Sequence, residues 1–194
     1  MLLQLHKRKM AIAGTVMSGY LIFHMLTNLS FFNQAYFTDF YNWYNAGLRW
    51  LVLVIMAIAI AIHVIAAIKI RKVNAKARTV QYVKQDKFHV PAPLVTISII
   101  FLLAFIVIHI IQTLLFDSSN VYMELQQLFQ SPFMVLFYVA GLFVMMMHLT
   151  HSLANVLQTL GKTSITCHRL VWAGVLLLVG GFAIIPVSIL WATL

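Results

Sequence analysis

Five apolar runs, each about 23 residues or longer and separated by short polar stretches, leave this 194-residue chain little choice of fold. They fall at residues 10–32, 48–70, 93–116, 132–157 and 170–193. A hydrocarbon core about 30 Å thick is crossed by roughly 20 helical residues, and inside it no backbone group can turn to water for a hydrogen bond. Each run is therefore expected to cross the membrane as an α-helix. Composition agrees, because 62% of the residues are hydrophobic and 9% charged, against about 25% charged in soluble domains. The expectation is an all-α integral membrane protein, residues 1–194 forming a single domain of five transmembrane helices. The basic opening MLLQLHKRKM leads into an apolar run too long for a signal peptide and without a small-residue cleavage site, so it reads as a retained first span. Cys167 is the only cysteine, which excludes an internal disulfide and a cysteine-based cluster or zinc site. Pro91, Pro93 and Pro132 stand at span entrances, where a missing backbone donor is harmless, and Pro186 inside the last span is expected to kink it.

Charge orients the spans, because Lys and Arg accumulate on the cytoplasmic side. Lys7, Arg8 and Lys9 precede the first span, a basic stretch from Lys69 to Lys87 joins the second to the third, and Lys162 and Arg169 join the fourth to the fifth. Twelve of the 13 basic residues thus fall on one side, Arg49 being the exception, and the opposite connections carry Asp39, Asp117 and Glu124. The amino terminus is expected inside and the carboxyl terminus outside. The net charge of +9 is mostly a topology signal, and no nucleic-acid partner is expected. FNQAYFTDFYNWYN and DSSNVYMELQQLFQS read as outer connections, the first resembling an interfacial aromatic belt.

His24, His63, His109 and His148 lie one in each of the first four spans, and His151 follows His148 by one turn. A single intramembrane histidine is ordinarily a helix-to-helix hydrogen-bonding group; one in each of four consecutive spans asks for more. Depth supplies a test. At about 1.5 Å per residue, His24 and His109 lie roughly 21 to 24 Å from the inner face, whereas His63 and His148 lie roughly 10 to 15 Å from it. Two pairs at two depths about 10 Å apart are what two stacked bis-imidazole haems in a four-helix core require. Small residues accompany the inner pair: Ala59, Ala66 and Ala67 near His63, Gly141 and Ser152 near His148. They would admit a flat macrocycle, and equally well a close helix neighbour.

These residues carry a resemblance. LIFHMLTN, AIHVIAAI, IVIHIIQT, SPFMVLFYVAG with MMHLTHS, and TLGKT followed by HR resemble, along most of the chain, the five-helix dihaem cytochrome b anchor of succinate:quinone oxidoreductases and quinol:fumarate reductases. The resemblance implies that the first four helices form a haem-binding bundle. It implies two haem b groups, the outer held by His24 and His109 and the inner by His63 and His148, with His151 beside the inner ligand as a hydrogen-bonding neighbour. It implies flavoprotein and iron-sulfur subunits on the cytoplasmic side, the dicarboxylate chemistry residing in those subunits, and a membrane quinone, menaquinone being the expectation. The location implied is a bacterial plasma membrane, in contact with lipid. The basic 69–89 stretch would be the docking surface, and Asp117 and Glu124 the titratable groups nearest the outer haem.

The sequence departs from the family pattern in places. Ser152 stands where a glycine follows the second histidine, Ala66 and Ala67 replace an aromatic-glycine feature, and HVPAP lacks the arginine expected at the third span. No span carries Asp or Glu at its centre, so a proton path through an intramembrane glutamate is not expected. Two rival readings are the cytochrome b of a hydrogenase or formate dehydrogenase, and a metal-ion transporter exploiting the 10 Met and 8 His residues. Against the transporter, Met145, Met146 and Met147 are consecutive and cannot share one pore face.

Overall fold

The structure, a computed structural model, describes residues 2–77, 92–159 and 164–193, and no strand occurs among them. Seven α-helices follow in chain order: α1 (Leu2–Leu29), α2 (Gln34–Trp43), α3 (Arg49–Ala77), α4 (Ala92–Leu115), α5 (Val121–Phe129), α6 (Pro132–Thr159) and α7 (Ile165–Thr193). A 3₁₀ turn at Ser30–Phe32 follows α1, and a π turn at Tyr44–Leu48 leads into α3. Five of the helical segments, those built on α1, α3, α4, α6 and α7, are long and apolar enough to cross a membrane. Large apolar side chains such as Leu136, Leu170 and Leu177 stand exposed on them. Such a surface suits lipid and not water.

The helices overrun the apolar runs at several ends, for local reasons. α1 takes in Lys7, Arg8 and Lys9, and α3 continues through Lys69, Arg71, Lys72 and Lys76. Cations near a helix C-terminus are favoured by the helix dipole, so nothing stops α3 where the hydrophobic run ends. α7 begins five residues before the apolar run, at Ile165, because Ser164 caps it: its Oγ accepts from the Cys167 amide at 3.2 Å, and its carbonyl from the His168 amide at 3.2 Å. The helix continues unbroken through Pro186. Pro91 and the basic residues from Arg78 to Lys87, together with His89 and Lys162, lie outside the described residues.

The chain divides into two compact units, Met1–Phe23 with Ala46–Val90 and His24–Asn45 with Pro91–Leu194. In the second unit α6 and α7, joined through a short connection, pack along one another, and α4 packs on α6. The buried residues of α6 include Val135, Tyr138, Leu142, Met145 and Leu149, and those of α7 include Val175, Leu178, Ile185 and Ile189. Alternating steps of three and four residues make one narrow seam on each helix, the pattern that meshes two helices over many turns.

The connections after the first and third spans are helical where the sequence reads as loop. Asn33 caps α2, its Oδ1 accepting from the Tyr36 amide at 3.2 Å. Phe37, Phe40, Tyr41 and Tyr44 then recur at helical spacing, and Phe37 is fully buried. Phe31 stacks on Tyr122 of α5 at 4.6 Å, and Phe37 lies 5.6 Å from Phe31 and 4.4 Å from Tyr41. The Tyr41 hydroxyl donates to Asn28 Oδ1 at 2.9 Å, and the Asn45 amide to the Ser118 carbonyl at 3.2 Å. These aromatic rings therefore form the core of a small helical cap.

Candidate functional site

His24, near the end of α1, and His109, on α4, face each other with ring centroids 6.0 Å apart and planes tilted by 55°. Two imidazoles each giving one nitrogen to a shared metal, at metal–nitrogen distances of about 2.0 Å, would have centroids about 6 Å apart, so this pair could hold one between them. Aromatic rings frame them: Phe182 of α7 lies 5.5 Å from His24, Phe105 stacks on His109 at 6.3 Å and 17°, and Tyr138 of α6 meets His109 edge-on at 5.8 Å. The fifth span thus contributes a wall to a site that sequence reading gave to the first four.

Hydrogen bonding fixes which nitrogen of His109 offers a lone pair. Its Nδ1 lies 3.2 Å from the Tyr138 hydroxyl oxygen, and that hydroxyl donates its single proton to Gln112 Oε1 at 2.8 Å. Tyr138 can then only accept from His109, so Nδ1 carries the proton and, in the neutral ring, Nε2 carries the lone pair. The Gln112 amide in turn donates to Met134 Sδ at 3.6 Å. A metal-binding histidine is characteristically oriented in this way, by donation from its other nitrogen.

Close packing holds the Phe105 ring. A Cβ built on Gly141 would lie 2.4 Å from Phe105 Cδ2, so the ring occupies the space that a side chain on α6 would take. Gly141, one of the small residues that would admit a macrocycle or a close helix neighbour, makes room for Phe105 of α4. At Gly181 of α7 a Cβ would come within 2.6 Å of the sulfur of Met25, the neighbour of His24.

In the first unit, His63 Nδ1 lies 3.2 Å from the Met10 carbonyl oxygen. A carbonyl only accepts, so this nitrogen is also the protonated one and Nε2 again holds the lone pair of the neutral ring. Ala59 and Ala66 of α3 are buried, and a Cβ on Gly14 would lie 3.6 Å from the His63 ring, an ordinary contact.

In the second unit, His148 is half-buried on α6. His151 is exposed, and its Nε2 lies 3.1 Å from the Asn155 side-chain amide, one turn along the same helix. An amide nitrogen only donates, so Nε2 of His151 accepts this bond and its lone pair is engaged. Ser152 donates back to the Leu149 carbonyl at 3.2 Å.

Asp117 and Glu124 have structural partners. Asp117 Oδ1 accepts from the Ser119 amide at 2.9 Å and from the Ser119 hydroxyl at 2.7 Å, while the Asp117 amide donates to Glu124 Oε1 at 3.4 Å. The Ser119 bonds hold the exposed Asp117 carboxyl below its ordinary value. Among the described residues no three His, Cys, Asp or Glu side chains converge as a metal-binding group. Paired imidazoles suit a metal whose other ligands come from a macrocycle.

Tyr138, Gln112, Phe105 and Phe182 are site residues that sequence reading did not single out. Gln112 carried a signal, being a lone amide one turn from His109 in an apolar helix. Fold and site together define a multi-pass α-helical membrane protein with a histidine pair between two of its spans. Comparison with protein-family models, curated proteins and solved structures found no match to the chain.

Proposed function

We propose that this chain is a membrane-anchoring cytochrome b subunit of the succinate:quinone oxidoreductase or quinol:fumarate reductase type, carrying two haem b groups between an iron-sulfur partner and membrane quinone. The observation that carries the reading is the His24–His109 pair, at 6.0 Å with His109 Nδ1 engaged at Tyr138. The residues fit a haem, which when bound supplies a one-electron couple. His24 and His109 would hold the outer haem; Phe105 and Phe182 exclude water from it, and Tyr138 orients the His109 ring. His63 and His148 would hold the inner one. His148 would be the ligand and His151, which accepts from Asn155 on its own helix, the neighbour.

The same reading gives the chain an inside amino terminus in a bacterial plasma membrane, flavoprotein and iron-sulfur subunits on the cytoplasmic face, and menaquinone as the quinone. Lys69, Arg71, Lys72 and Lys76 extend as exposed groups from the end of α3, and a polyanionic partner surface would complement them. For Asp117 and Glu124, the hydrogen bonds that build the outer turn support a structural part first and proton exchange second.

The test is a reduced-minus-oxidised optical spectrum of the purified protein with its copurifying subunits, with haem quantified per chain. Two b-type haems are expected, the same one being lost in His24→Ala and in His109→Gln, and the other in His148→Ala but not in His151→Ala. Protein that copurifies with its partners and contains no haem overturns the reading.

A further inference from the structure

We infer that Tyr138 and Gln112 form a hydrogen-bond relay that sets the reduction potential of the metal centre held by His109, making them positioning residues for electron transfer. The inference rests on the haem reading above and deepens it. His109 Nδ1–H donates to Tyr138 Oη at 3.2 Å, Tyr138 donates to Gln112 Oε1 at 2.8 Å, and Gln112 donates to Met134 Sδ at 3.6 Å. The relay therefore runs in one direction, each group accepting from the one before and donating to the one after.

Two consequences follow. An acceptor on Nδ1–H draws the proton outward and makes Nε2 a more basic ligand, which favours the oxidised, more positive iron and lowers the potential. The second bond strengthens the first, because a phenol that donates to Gln112 is a better acceptor, and chains of hydrogen bonds polarise one another in a low-dielectric interior. Tyr138 is buried, 8% exposed, and its ring meets Phe105 at 5.4 Å and Phe129 at 4.8 Å. That packing fixes the oxygen in place, and loss of the hydroxyl alone would leave the ring seated.

His63 has a different partner on its Nδ1, the Met10 backbone carbonyl. A carbonyl cannot be removed by side-chain substitution and does not belong to the relay. The haem that His63 serves is thus an internal reference in the same molecule.

The experiment is a spectroelectrochemical redox titration of the wild-type complex, Tyr138→Phe and Gln112→Leu, with haem content measured in each. The expected result is two haems in all three. One haem shifts to higher potential in Tyr138→Phe by a several-fold to tenfold change in its oxidised-to-reduced ratio, up to about 59 mV for one electron. A smaller shift of the same sign is expected in Gln112→Leu, with the second haem unmoved in both. Two haems with unchanged potentials in both variants overturn the relay and leave the haem reading standing, whereas wild-type complex without haem overturns the haem reading and the relay with it. Should Tyr138→Phe fail to assemble, an unchanged potential in Gln112→Leu alone overturns the relay.

Discussion

Gly141→Ala is the perturbation whose effect the packing specifies most closely. The new Cβ would lie 2.4, 2.5 and 2.6 Å from three atoms of the Phe105 ring, whereas ordinary contact begins at 3.4 Å, so the ring must retreat by about 1.0 Å. It has little room to do so. Phe105 is 7% exposed and lies 5.4 Å from both Phe137 and Tyr138, with His109 stacked at 6.3 Å. Overpacking of this kind costs about 1–3 kcal/mol, and removal of a mid-helix glycine returns up to about 1 kcal/mol. The net expectation is a loss of about 0–3 kcal/mol. The sharper test is a double-mutant cycle with Phe105→Ala, which clears the space the new methyl needs. The pair should then be less destabilising than the sum of the singles by about 1–2 kcal/mol, within the range for residues in contact. Unfolding in mixed detergent micelles, followed by helical circular dichroism, measures all four corners. Additivity within about 0.5 kcal/mol would refute the claim that the ring and the glycine share one space. Gly180→Ala, with nothing within 4 Å of its new Cβ, is the control on helix propensity alone.

Two further outcomes follow from the helix ends and the turn at Asp117. Ser164→Ala removes the acceptor for the Cys167 amide at 3.2 Å and should cost about 1 kcal/mol, seen as faster amide exchange confined to the first turn of α7. The Ser119 bonds depress the Asp117 pKa below its ordinary 3.8. A group with a depressed folded pKa contributes stability that is present above the unfolded value and lost as pH falls through the folded one. Protection of the Ser119 amide should therefore be flat from neutral pH down to about 5 and fall only below the ordinary carboxylate range, and Asp117→Asn should remove that acid-side loss; a loss of wild-type protection between pH 7 and 5 would contradict it.

The spans were legible because lipid removes every alternative for the backbone, so length and hydropathy alone locate them. Their ends were not, because capping and charge decide those: Ser164 starts α7 ahead of the apolar run, and the basic residues after Ile68 continue α3 past it. The helix α2 was written in the sequence. Phe37, Phe40, Tyr41 and Tyr44 recur at steps of three and four behind an Asn cap, but an aromatic-rich segment beside a span reads first as a membrane belt. Counting residues along helices sets His24 and His109 at one depth. It cannot supply the ring of Tyr138, which is 29 positions from His109 and on another span. Nor does it show that Gly141 is matched to Phe105, since a glycine in a membrane helix announces close approach without naming what approaches.

The histidines differ in the partners their ring nitrogens meet. A helix-to-helix hydrogen bond would account for the Nδ1 contacts of His63 and His109 by themselves, because donation to Met10 and to Tyr138 ties one helix to another. It does not account for a second imidazole tilted by 55° at 6.0 Å, which brings His24 to His109 without a direct hydrogen bond between the rings. Asn155 engages Nε2 of His151 from its own helix, a local bond that ties no second element. The three arrangements make different demands on a replacement. A glutamine can reproduce a bond to a carbonyl or a phenol, and nothing but a second coordinating nitrogen can reproduce the other face of the ring. Loss of haem in His109→Gln would therefore assign the pair to ligation even where the tie between α4 and α6 survives.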